Sequence, residues 1–280
     1  MHVGDLITSR TNARVKLLRA SLSGKASRPG DLVGIEGVHL IGEAIKSSLP
    51  LEMVYLRKGS EGLLQLPALA GLTARQWAVL SNDVFESAVK TESPQGIAAT
   101  LRIPAVPLQH SEQFPGVHLV IEDLQDPGNL GTLIRSAEAF GLDNIFVTPS
   151  TVNPWNPKTL RASAGSVFRM PIFQFTLQET KAWLNLINAH IFAAVPHMEK
   201  AVPSHNATLM PPCALMIGNE GAGLSQEALD IADEYVRIPC VTESLNAAIA
   251  GSVLMYETSR QYRVDLFQRT IHRIKPTVLP

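Results

Sequence analysis

Two short apolar runs in the last third of the chain, each followed by a polar turn and a helical pattern, constrain its fold most. The first run, Cys213–Ile217, is continuously apolar and stops at Gly218. The second, Tyr235–Ile238, stops at Pro239 and leads through polar residues into a long helical pattern. Continuous apolar runs of this length are typical of strands buried on both faces. They predict a parallel sheet covered by helices, with a ligand site where the two turns meet.

The same alternation of strand and helix patterns runs through the rest of the chain. It predicts an α/β fold with a smaller α/β domain over residues 1–104, a linker over residues 105–115, and a second domain over residues 116–280 with a mostly parallel sheet. Ser81 stands directly before a helical pattern and is expected to cap that helix. Prolines without periodicity mark a linker. Those prolines are Pro104, Pro107 and Pro115.

Composition narrows the class of protein. The chain has 280 residues, 45% hydrophobic and 18% charged, which suits a globular protein of two moderate domains. No apolar segment approaches the roughly 18 residues that a membrane span needs, and the N-terminus lacks an apolar signal-peptide core. We therefore expect a cytoplasmic protein that is not bound to a membrane. The cysteines are only Cys213 and Cys240, and the eight histidines lack metal-ligand spacing, so we expect no disulfide framework and no metal site.

The formal net charge of −1 conceals a basic run near the N-terminus. Between Ser9 and Arg28 there are six basic residues and no acidic ones. Such a run is either a solvated helix face or a surface that contacts phosphates, and the residues alone leave both interpretations open. The first members of the run are Arg10, Arg14, Lys16 and Arg19.

A further motif follows the apolar run Val117–Ile121. Residues 126–141 read DPGNLGTLIRSAEAFG, with apolar side chains on one helical face. Asn129 lies at the start of this helix, where a short polar side chain favours capping. Arg135 lies further along the helix, and it is either an exposed arginine or a contact for a phosphate or hydroxyl group.

Together these stretches resemble the TrmH/SpoU group of RNA ribose 2′-O-methyltransferases, in the SPOUT superfamily. The motifs of that group are similar to Asn129–Ala137 (NLGTLIRSA), Ile217–Leu224 (IGNEGAGL), Ile238–Pro239 and Ser244–Asn246 (SLN). The first domain is similar to the ribosomal-protein-like substrate-binding domain often fused to these enzymes. The resemblance implies S-adenosylmethionine-dependent methylation of a ribose 2′-hydroxyl in structured RNA, with ribosomal RNA as the expected substrate and transfer RNA as the alternative.

The resemblance also implies a trefoil knot in the second domain and a homodimer with the site near its interface, so that Asn129 and Arg135 of one subunit serve a pocket completed by the other. The implied cofactor contacts are Thr148, Gly218, Ile238, Leu245 and Asn246. The implied catalytic residues are Arg135, Asn129, Glu220, Ser244 and Asn246. With this family in view, the residues expected to bind RNA are Arg10, Arg14, Lys16 and Arg19.

The expected roles follow from the chemistry of the side chains. A guanidinium is not deprotonated in proteins, so we expect Arg135 to hold the target phosphate and ribose while an RNA phosphate or a water receives the hydroxyl proton. Ser244 and Asn246 are expected to orient the hydroxyl or Arg135. Glu220 is expected to accept hydrogen bonds from backbone N–H groups rather than to act as a base.

Two alternatives belong to other classes of protein. One is a non-catalytic RNA-binding protein that retains the fold. The other is a dinucleotide-dependent enzyme that uses Gly218–Gly223 as a phosphate loop. The sequence GNEGAG lacks both the G-x-G-x-x-G spacing and a P-loop lysine, which argues against the second alternative.

Overall fold

The computed structural model describes residues 6–89, 91–108 and 116–262. Its contacts divide the chain into two compact units. Unit 1 comprises residues 1–107 and 153–169, and unit 2 comprises residues 108–152 and 170–280. Most of the linker predicted over residues 105–115 lies outside the described residues.

Twelve strands and eight α-helices lie within the described residues. The strands are β1 (Leu6–Ile7), β2 (Leu32–Glu36), β3 (Leu51–Arg57), β4 (Ala74–Leu80), β5 (Ile97–Arg102), β6 (Val117–Ile121), β7 (Asn144–Val147), β8 (Ile172–Gln174), β9 (His190–Ala194), β10 (Val202–Pro203), β11 (Cys213–Ile217) and β12 (Glu234–Arg237). The helices are α1 (Ala13–Ser21), α2 (Val38–Lys46), α3 (Asn82–Ala88), α4 (Pro127–Ala139), α5 (Pro157–Ala162), α6 (Leu177–Leu186), α7 (Gln226–Ile231) and α8 (Ala247–Tyr262).

Unit 1 is built on a mixed five-stranded sheet in the order β1-β4-β3-β5-β2. Strands β1 and β3 run parallel to β4, whereas β5 runs antiparallel to both β2 and β3. Helix α1 begins after Asn12, whose side chain accepts a hydrogen bond from the backbone N–H of Arg14. Ser81 is the N-cap residue of α3, as expected, but its hydroxyl donates to the Asp83 carboxylate at 2.7 Å and makes no hydrogen bond to the backbone of the helix.

The segment 153–169, which the sequence assigned to the second domain, packs with unit 1. The Asn153 side-chain amide donates to the carbonyl oxygens of Gly24 at 3.0 Å and Ala26 at 2.6 Å. At the other end of the segment, Arg169 forms an ion pair with Glu43 at 2.9 Å. These contacts could not be predicted from the order of residues, because the partners are more than a hundred residues away along the chain.

Unit 2 confirms the predicted parallel sheet. Its seven strands lie in the order β10-β12-β9-β11-β6-β7-β8, and every pairing between neighbours is parallel. The central strands β6 and β11 are buried at every position, as their continuous apolar sequences predicted. The loops that follow β12, β9, β11, β6 and β7 therefore leave the same edge of the sheet.

Helix α8 carries the chain from the β12 loop back to the centre of unit 2, where it packs on α4. A side chain at Gly251 of α8 would meet the Leu133 side chain of α4 at 2.4 Å, so glycine permits this close approach. Ser136 and Ser252 share a hydrogen bond of 2.7 Å across the two helices. Within the described residues, none of the helices has both the length and the apolar character needed to cross a bilayer.

Candidate active site

The turn after β11 is held together by its own backbone and by Asn219. Asn219 and Gly223 exchange two backbone hydrogen bonds of 3.0 Å, and the Asn219 side-chain oxygen accepts from the N–H groups of Gly221 and Ala222 at 2.8 and 3.0 Å. A Cβ at Gly218 would lie 2.3 Å from the Gly223 carbonyl carbon. The glycine at position 218 is therefore a requirement of this turn.

Asn219 also joins the β11 turn to the loop after β6. Its side-chain amide donates to the carbonyl oxygen of Asp123 at 2.8 Å. The backbone N–H of Asp123 donates in turn to the Thr148 hydroxyl, at the end of β7, at 3.0 Å. The loops at the ends of three adjacent strands are thus fixed to one another by hydrogen bonds.

The Glu220 carboxylate holds the start of α4. It accepts hydrogen bonds from the backbone N–H groups of Asp126 at 3.0 Å and Gln125 at 3.3 Å, and from the Asn129 side-chain amide at 3.1 Å. Partial burial alone would raise the pKa of Glu220, but these hydrogen bonds outweigh that effect and the pKa lies below its ordinary value. Glu220 is therefore a stabilised carboxylate that accepts hydrogen bonds.

Asn129 and Asn246 complete the connection between the three motifs. The helix cap expected at Asn129 is instead supplied by Asp126, whose carboxylate accepts from the Asn129 backbone N–H at 2.7 Å. The Asn129 side chain donates to Glu220 and accepts from the Asn246 side chain at 3.0 Å. Asn246 in turn accepts from the N–H of Ala248 at 2.9 Å, in the first turn of α8. This network, Asn129–Glu220–Asn246, lies within one chain and needs no second subunit.

A cavity of about 310 Å³ lies beside this network. It is formed by the loops after β9, β11 and β12 and by the first turns of α8. Three of the expected cofactor contacts, Gly218, Ile238 and Leu245, line it, as do Glu220 and Ser244. The other two, Thr148 and Asn246, are not among the described residues that line it; Thr148 is buried.

Arg135 is not among the described residues that line this cavity. It is exposed on α4 and makes no hydrogen bond or ion pair among the described residues. Its guanidinium is free to contact a ligand. Ser244 is also exposed, and its carbonyl oxygen accepts from the Thr242 hydroxyl at 3.3 Å.

Several lining residues were not expected from the sequence. His197, Cys240 and Glu243 line the cavity, and His197 lies in the loop after β9. The general rule that ligands bind beyond the carboxyl ends of parallel strands was the available signal for this loop.

The basic residues expected to bind RNA fall into two groups. Arg14 and Lys16 are exposed on α1 and make no side-chain hydrogen bond or ion pair among the described residues. Arg10 lies 3.7 Å from the Asp83 carboxylate, and Arg19 donates to the backbone and hydroxyl oxygens of Ser87 at 3.4 Å.

Over the described part of the chain there is no group of three His, Cys, Asp or Glu side chains that could hold a metal ion.

The parallel sheet and the cavity at its carboxyl edge define unit 2 as a cofactor-binding enzyme domain of the α/β class. Residues 116–256 match the SpoU rRNA Methylase family, and residues 12–99 match the MRM3-like substrate binding domain. The chain therefore belongs to the SpoU rRNA methylase family, as its motifs predicted. It is a methyltransferase and not a dinucleotide-dependent enzyme.

Individual relatives agree with this family over most of the chain. A 23S rRNA (guanosine(2553)-2′-O)-methyltransferase from Bacillus subtilis, RlmP, is 32% identical over 252 residues, which cover 89% of this chain and 97% of the relative. A crystal structure of an RNA 2′-O ribose methyltransferase is 30% identical with a TM-score of 0.74, covering 92% of this chain and 99% of the other. An AdoMet-bound rRNA methyltransferase from Sinorhizobium meliloti is 26% identical with a TM-score of 0.75, covering 91% and 97%.

Proposed function

We propose that this protein transfers a methyl group from S-adenosylmethionine to the 2′-hydroxyl of a ribose in ribosomal RNA. The observation that carries the proposal is the Asn129–Glu220–Asn246 network, which joins all three motifs beside a cavity lined by both apolar and polar residues. Relatives over most of the chain's length are named for this activity on 23S ribosomal RNA, in Bacillus subtilis and in Streptomyces viridochromogenes. The first of these acts on a guanosine and the second on a uridine, so the family alone does not select the nucleotide.

The cavity beside β11 suits S-adenosylmethionine. Its volume of about 310 Å³ falls at the lower end of the range for small-molecule sites. Gly218 has no side chain at a point where a Cβ would clash with the Gly223 backbone, so its own backbone lines the cavity. Ile238 and Leu254 form apolar walls. A ring system packed against such walls would leave its polar edge to the backbone groups of the turn. We assign the adenosyl group to this cavity.

The bound cofactor supplies an electrophilic methyl group on a sulfonium, so the residues of the chain have to position the ribose and accommodate a proton. Most of the rate advantage in such a transfer comes from holding the donor and the acceptor in line. The Asn129–Glu220–Asn246 network fixes the start of α4 and the start of α8 relative to the β11 turn. Because the hydrogen bonds to Glu220 lower its pKa, it is a weak proton acceptor.

Arg135 is the residue we assign to the RNA itself. An exposed guanidinium without an internal partner can donate two parallel hydrogen bonds to a phosphate. A phosphate and a ribose held in this way present the 2′-hydroxyl to the donor. The hydroxyl proton then passes to water or to an RNA phosphate, while Ser244, at the rim of the cavity, orients the hydroxyl.

We further propose that the active form is a homodimer. One face of α8 exposes Ile249, Val253 and Tyr256, of which 53%, 37% and 54% of the surface is accessible. The Tyr256 ring also packs edge-on against Phe140 at 5.9 Å between centroids, which extends this apolar surface to the end of α4. A contiguous apolar patch of this kind is typical of a protein interface.

The remaining assignments rest on the family and the charge distribution. We place RNA binding on the exposed basic residues of α1, Arg14 and Lys16, with Arg10 and Arg19 beside them. We also propose that the loops after β11 and β12 form a trefoil knot. We also expect the protein to act in the cytoplasm.

A methylation assay tests the proposal directly. The protein is incubated with labelled S-adenosylmethionine and with ribosomal or transfer RNA from a strain in which its gene is deleted, and the RNA is digested to nucleosides. We expect one 2′-O-methylated nucleoside to gain label from ribosomal RNA alone. Labelling of transfer RNA alone would assign the other substrate, and binding of RNA without any transfer of label would identify a non-catalytic protein.

A further inference from the structure

Unit 1 contains a second cavity, of about 210 Å³, between the end of α1, the start of α2 and helix α5. Its walls include the apolar side chains of Leu22, Leu40, Val89 and Leu160. A water molecule occupies about 30 Å³ in the liquid, so the space is several times larger than one water. Nothing in the proposed methyl transfer uses this cavity.

The polar lining of this cavity has one acidic group and one unsatisfied hydroxyl. One carboxylate oxygen of Glu36 accepts a hydrogen bond from the backbone N–H of Gln95 at 2.9 Å, so the other oxygen is available. Thr91 also lines the cavity, and its hydroxyl oxygen is buried without a hydrogen-bond partner among the described residues. Because buried polar groups nearly always have a hydrogen-bond partner, this hydroxyl is open to a bound water or ligand.

Two cations lie on one side of the same cavity. Lys158 and Arg161 are separated by three positions on α5, which places them on one helical face. Both line the cavity, both are exposed, and neither forms an ion pair among the described residues. Two free cations at the rim of a cavity are suited to a phosphate group.

The segment before α5 connects these cations to the basic N-terminal run. Through its two hydrogen bonds to the carbonyl oxygens of Gly24 and Ala26, Asn153 fixes the loop that contains Lys25 and adjoins Arg28. The basic run identified in the sequence therefore does not end at Arg28 in the folded unit. It continues into a segment that is more than a hundred residues away along the chain.

We propose that this cavity binds one unpaired nucleotide of the RNA, with a guanine base. The base enters between Leu22, Leu40 and Leu160, and its 5′-phosphate is held by Lys158 and Arg161. The free oxygen of Glu36 accepts hydrogen bonds from the N1–H and 2-amino groups, which guanine carries side by side on its pairing edge. This proposal rests on RNA being the substrate of the protein, as proposed above.

Guanine is favoured because the carboxylate of Glu36 can only accept hydrogen bonds. Recognition of single-stranded RNA depends on bases that are turned out of the stack and read along their pairing edges. Uracil offers a single N–H on that edge, between two carbonyl oxygens that would face the carboxylate. Inosine keeps N1–H and lacks the 2-amino group, and it therefore isolates one of the two hydrogen bonds.

The first experiment measures the base preference by fluorescence anisotropy. Oligouridines of about ten nucleotides, within the usual range of single-strand site sizes, carry guanosine, inosine or uridine at one central position. We expect the wild-type protein to bind the guanosine oligonucleotide about tenfold more tightly than the uridine one, with inosine between them. Equal affinity for all three would overturn the proposal.

The variant Glu36→Gln tests the acceptor. The amide oxygen of glutamine can keep the hydrogen bond to Gln95, while its NH₂ group replaces the free acceptor oxygen. We expect the preference for guanosine to disappear, with the thermal melting temperature within about two degrees of wild type, because glutamine has the same shape and keeps the hydrogen bond to Gln95. A folded variant that keeps the full preference would refute the role of Glu36.

A double variant, Lys158→Gln with Arg161→Gln, tests the phosphate contact. Each phosphate neutralised on single-stranded RNA contributes about 0.7 to the salt slope. Because the two cations hold one phosphate, we expect the slope to fall by about 0.7. The matched control is Lys46→Gln with Arg75→Gln, which removes the same charge from unit 1 at residues already paired with Glu43 and Glu52. An identical salt slope in the double variant and its control would contradict the phosphate contact.

Titration with S-adenosylmethionine separates this proposal from the proposed function. All of these variants should bind the cofactor as the wild type does, because every changed residue lies in unit 1. A wild-type protein that prefers guanosine but neither binds the cofactor nor transfers methyl groups would refute the proposed function alone. A protein that methylates ribosomal RNA without any preference for guanosine in the oligonucleotides would refute the guanine pocket alone.

Discussion

The side-chain amide of Asn246 donates a hydrogen bond of 3.0 Å to the side-chain oxygen of Asn129, 117 residues earlier in the chain. The side-chain amide of Asn129 donates in turn to the Glu220 carboxylate at 3.1 Å. Two helix starts and the turn after β11 are thereby held in one arrangement. The residues that identify the family are thus connected in space, and the methyl-transfer site proposed here depends on that connection.

Two substitutions of Asn246 should separate its two contacts. In Asn246→Asp the carboxylate can still accept from the first turn of α8, but it cannot donate to Asn129. We expect methyl transfer to fall at least tenfold with little loss of stability. Asn246→Ala also removes the acceptor, and loss of a cap of this type costs about 1 kcal/mol in the free energy of unfolding. Urea denaturation and single-turnover methylation measure the two effects; equal stability of the two variants would contradict the capping role.

A Cβ at Gly218 should disturb the β11 turn. Gly218→Ala would place this atom 2.3 Å from the Gly223 backbone, and relief of such an overlap costs about 1–3 kcal/mol. We expect binding of S-adenosylmethionine, measured by calorimetry, to weaken at least tenfold. The control is Gly62→Ala in unit 1, where no atom lies within 4 Å of an added Cβ. If both variants bound the cofactor like wild type, the cavity would not be the cofactor site.

Glu220→Gln should reduce stability in a way that depends on pH. The pKa of Glu220 in the folded protein lies below its ordinary value of 4.5. Its stabilising effect is therefore fully present above about pH 4.5 and is lost as the pH falls through the lower folded pKa. We expect the variant to lose about 1 kcal/mol at pH 7. The difference from wild type should shrink below pH 4.5. The control is Glu199→Gln, at an exposed residue, and a difference that grew on acidification would have the wrong sign.

Substitution of Arg135 should affect transfer and leave the fold intact, because the side chain is exposed and makes no hydrogen bond or ion pair among the described residues. We expect Arg135→Gln to keep the wild-type melting temperature and cofactor affinity and to lose methyl transfer by about a hundredfold. Arg135→Lys keeps the charge but not the planar pair of donors. Turnover by the lysine variant near the wild-type rate would count against bidentate binding of a phosphate.

A charged residue on the exposed face of α8 should separate the proposed dimer. Ile249→Glu places a carboxylate in the apolar surface that also contains Val253 and Tyr256. Burial of an unpaired carboxylate in an interface costs several kcal/mol. We expect a monomer by light scattering, with methyl transfer strongly reduced. Leu186→Glu, at a residue that is 75% exposed elsewhere on unit 2, is the control. A monomeric wild-type protein with full activity would refute the dimer.

The sequence predicted the regular elements well where one physical signal dominated. The boundaries of β6 and β11 were predicted without error, because strands buried on both faces are continuously apolar. The parallel sheet followed from the alternation of strands and helices, and the family followed from three motifs in order. Composition and local pattern are sufficient for these conclusions because each depends on neighbouring residues.

The tertiary structure decided what each polar side chain does. Asn129 stands where a cap is expected, yet Asp126 supplies the cap and Asn129 bonds Glu220 and Asn246. Thr148, which stays a predicted cofactor contact, accepts a hydrogen bond from the backbone N–H of Asp123. The segment 153–169 was assigned to the second domain, and it packs in unit 1 through Asn153 and Arg169.

The physical reason for this difference lies in the range of the interactions. Burial of apolar side chains is non-directional and leaves a periodic pattern that can be read along the chain. A hydrogen bond needs a partner within about 3 Å at a suitable angle, and here the partners lie roughly 25 to 130 residues apart in sequence. The sequence therefore determined the sheet, the motifs and the family, while only the folded chain could determine that Asn129, Glu220 and Asn246 form one network.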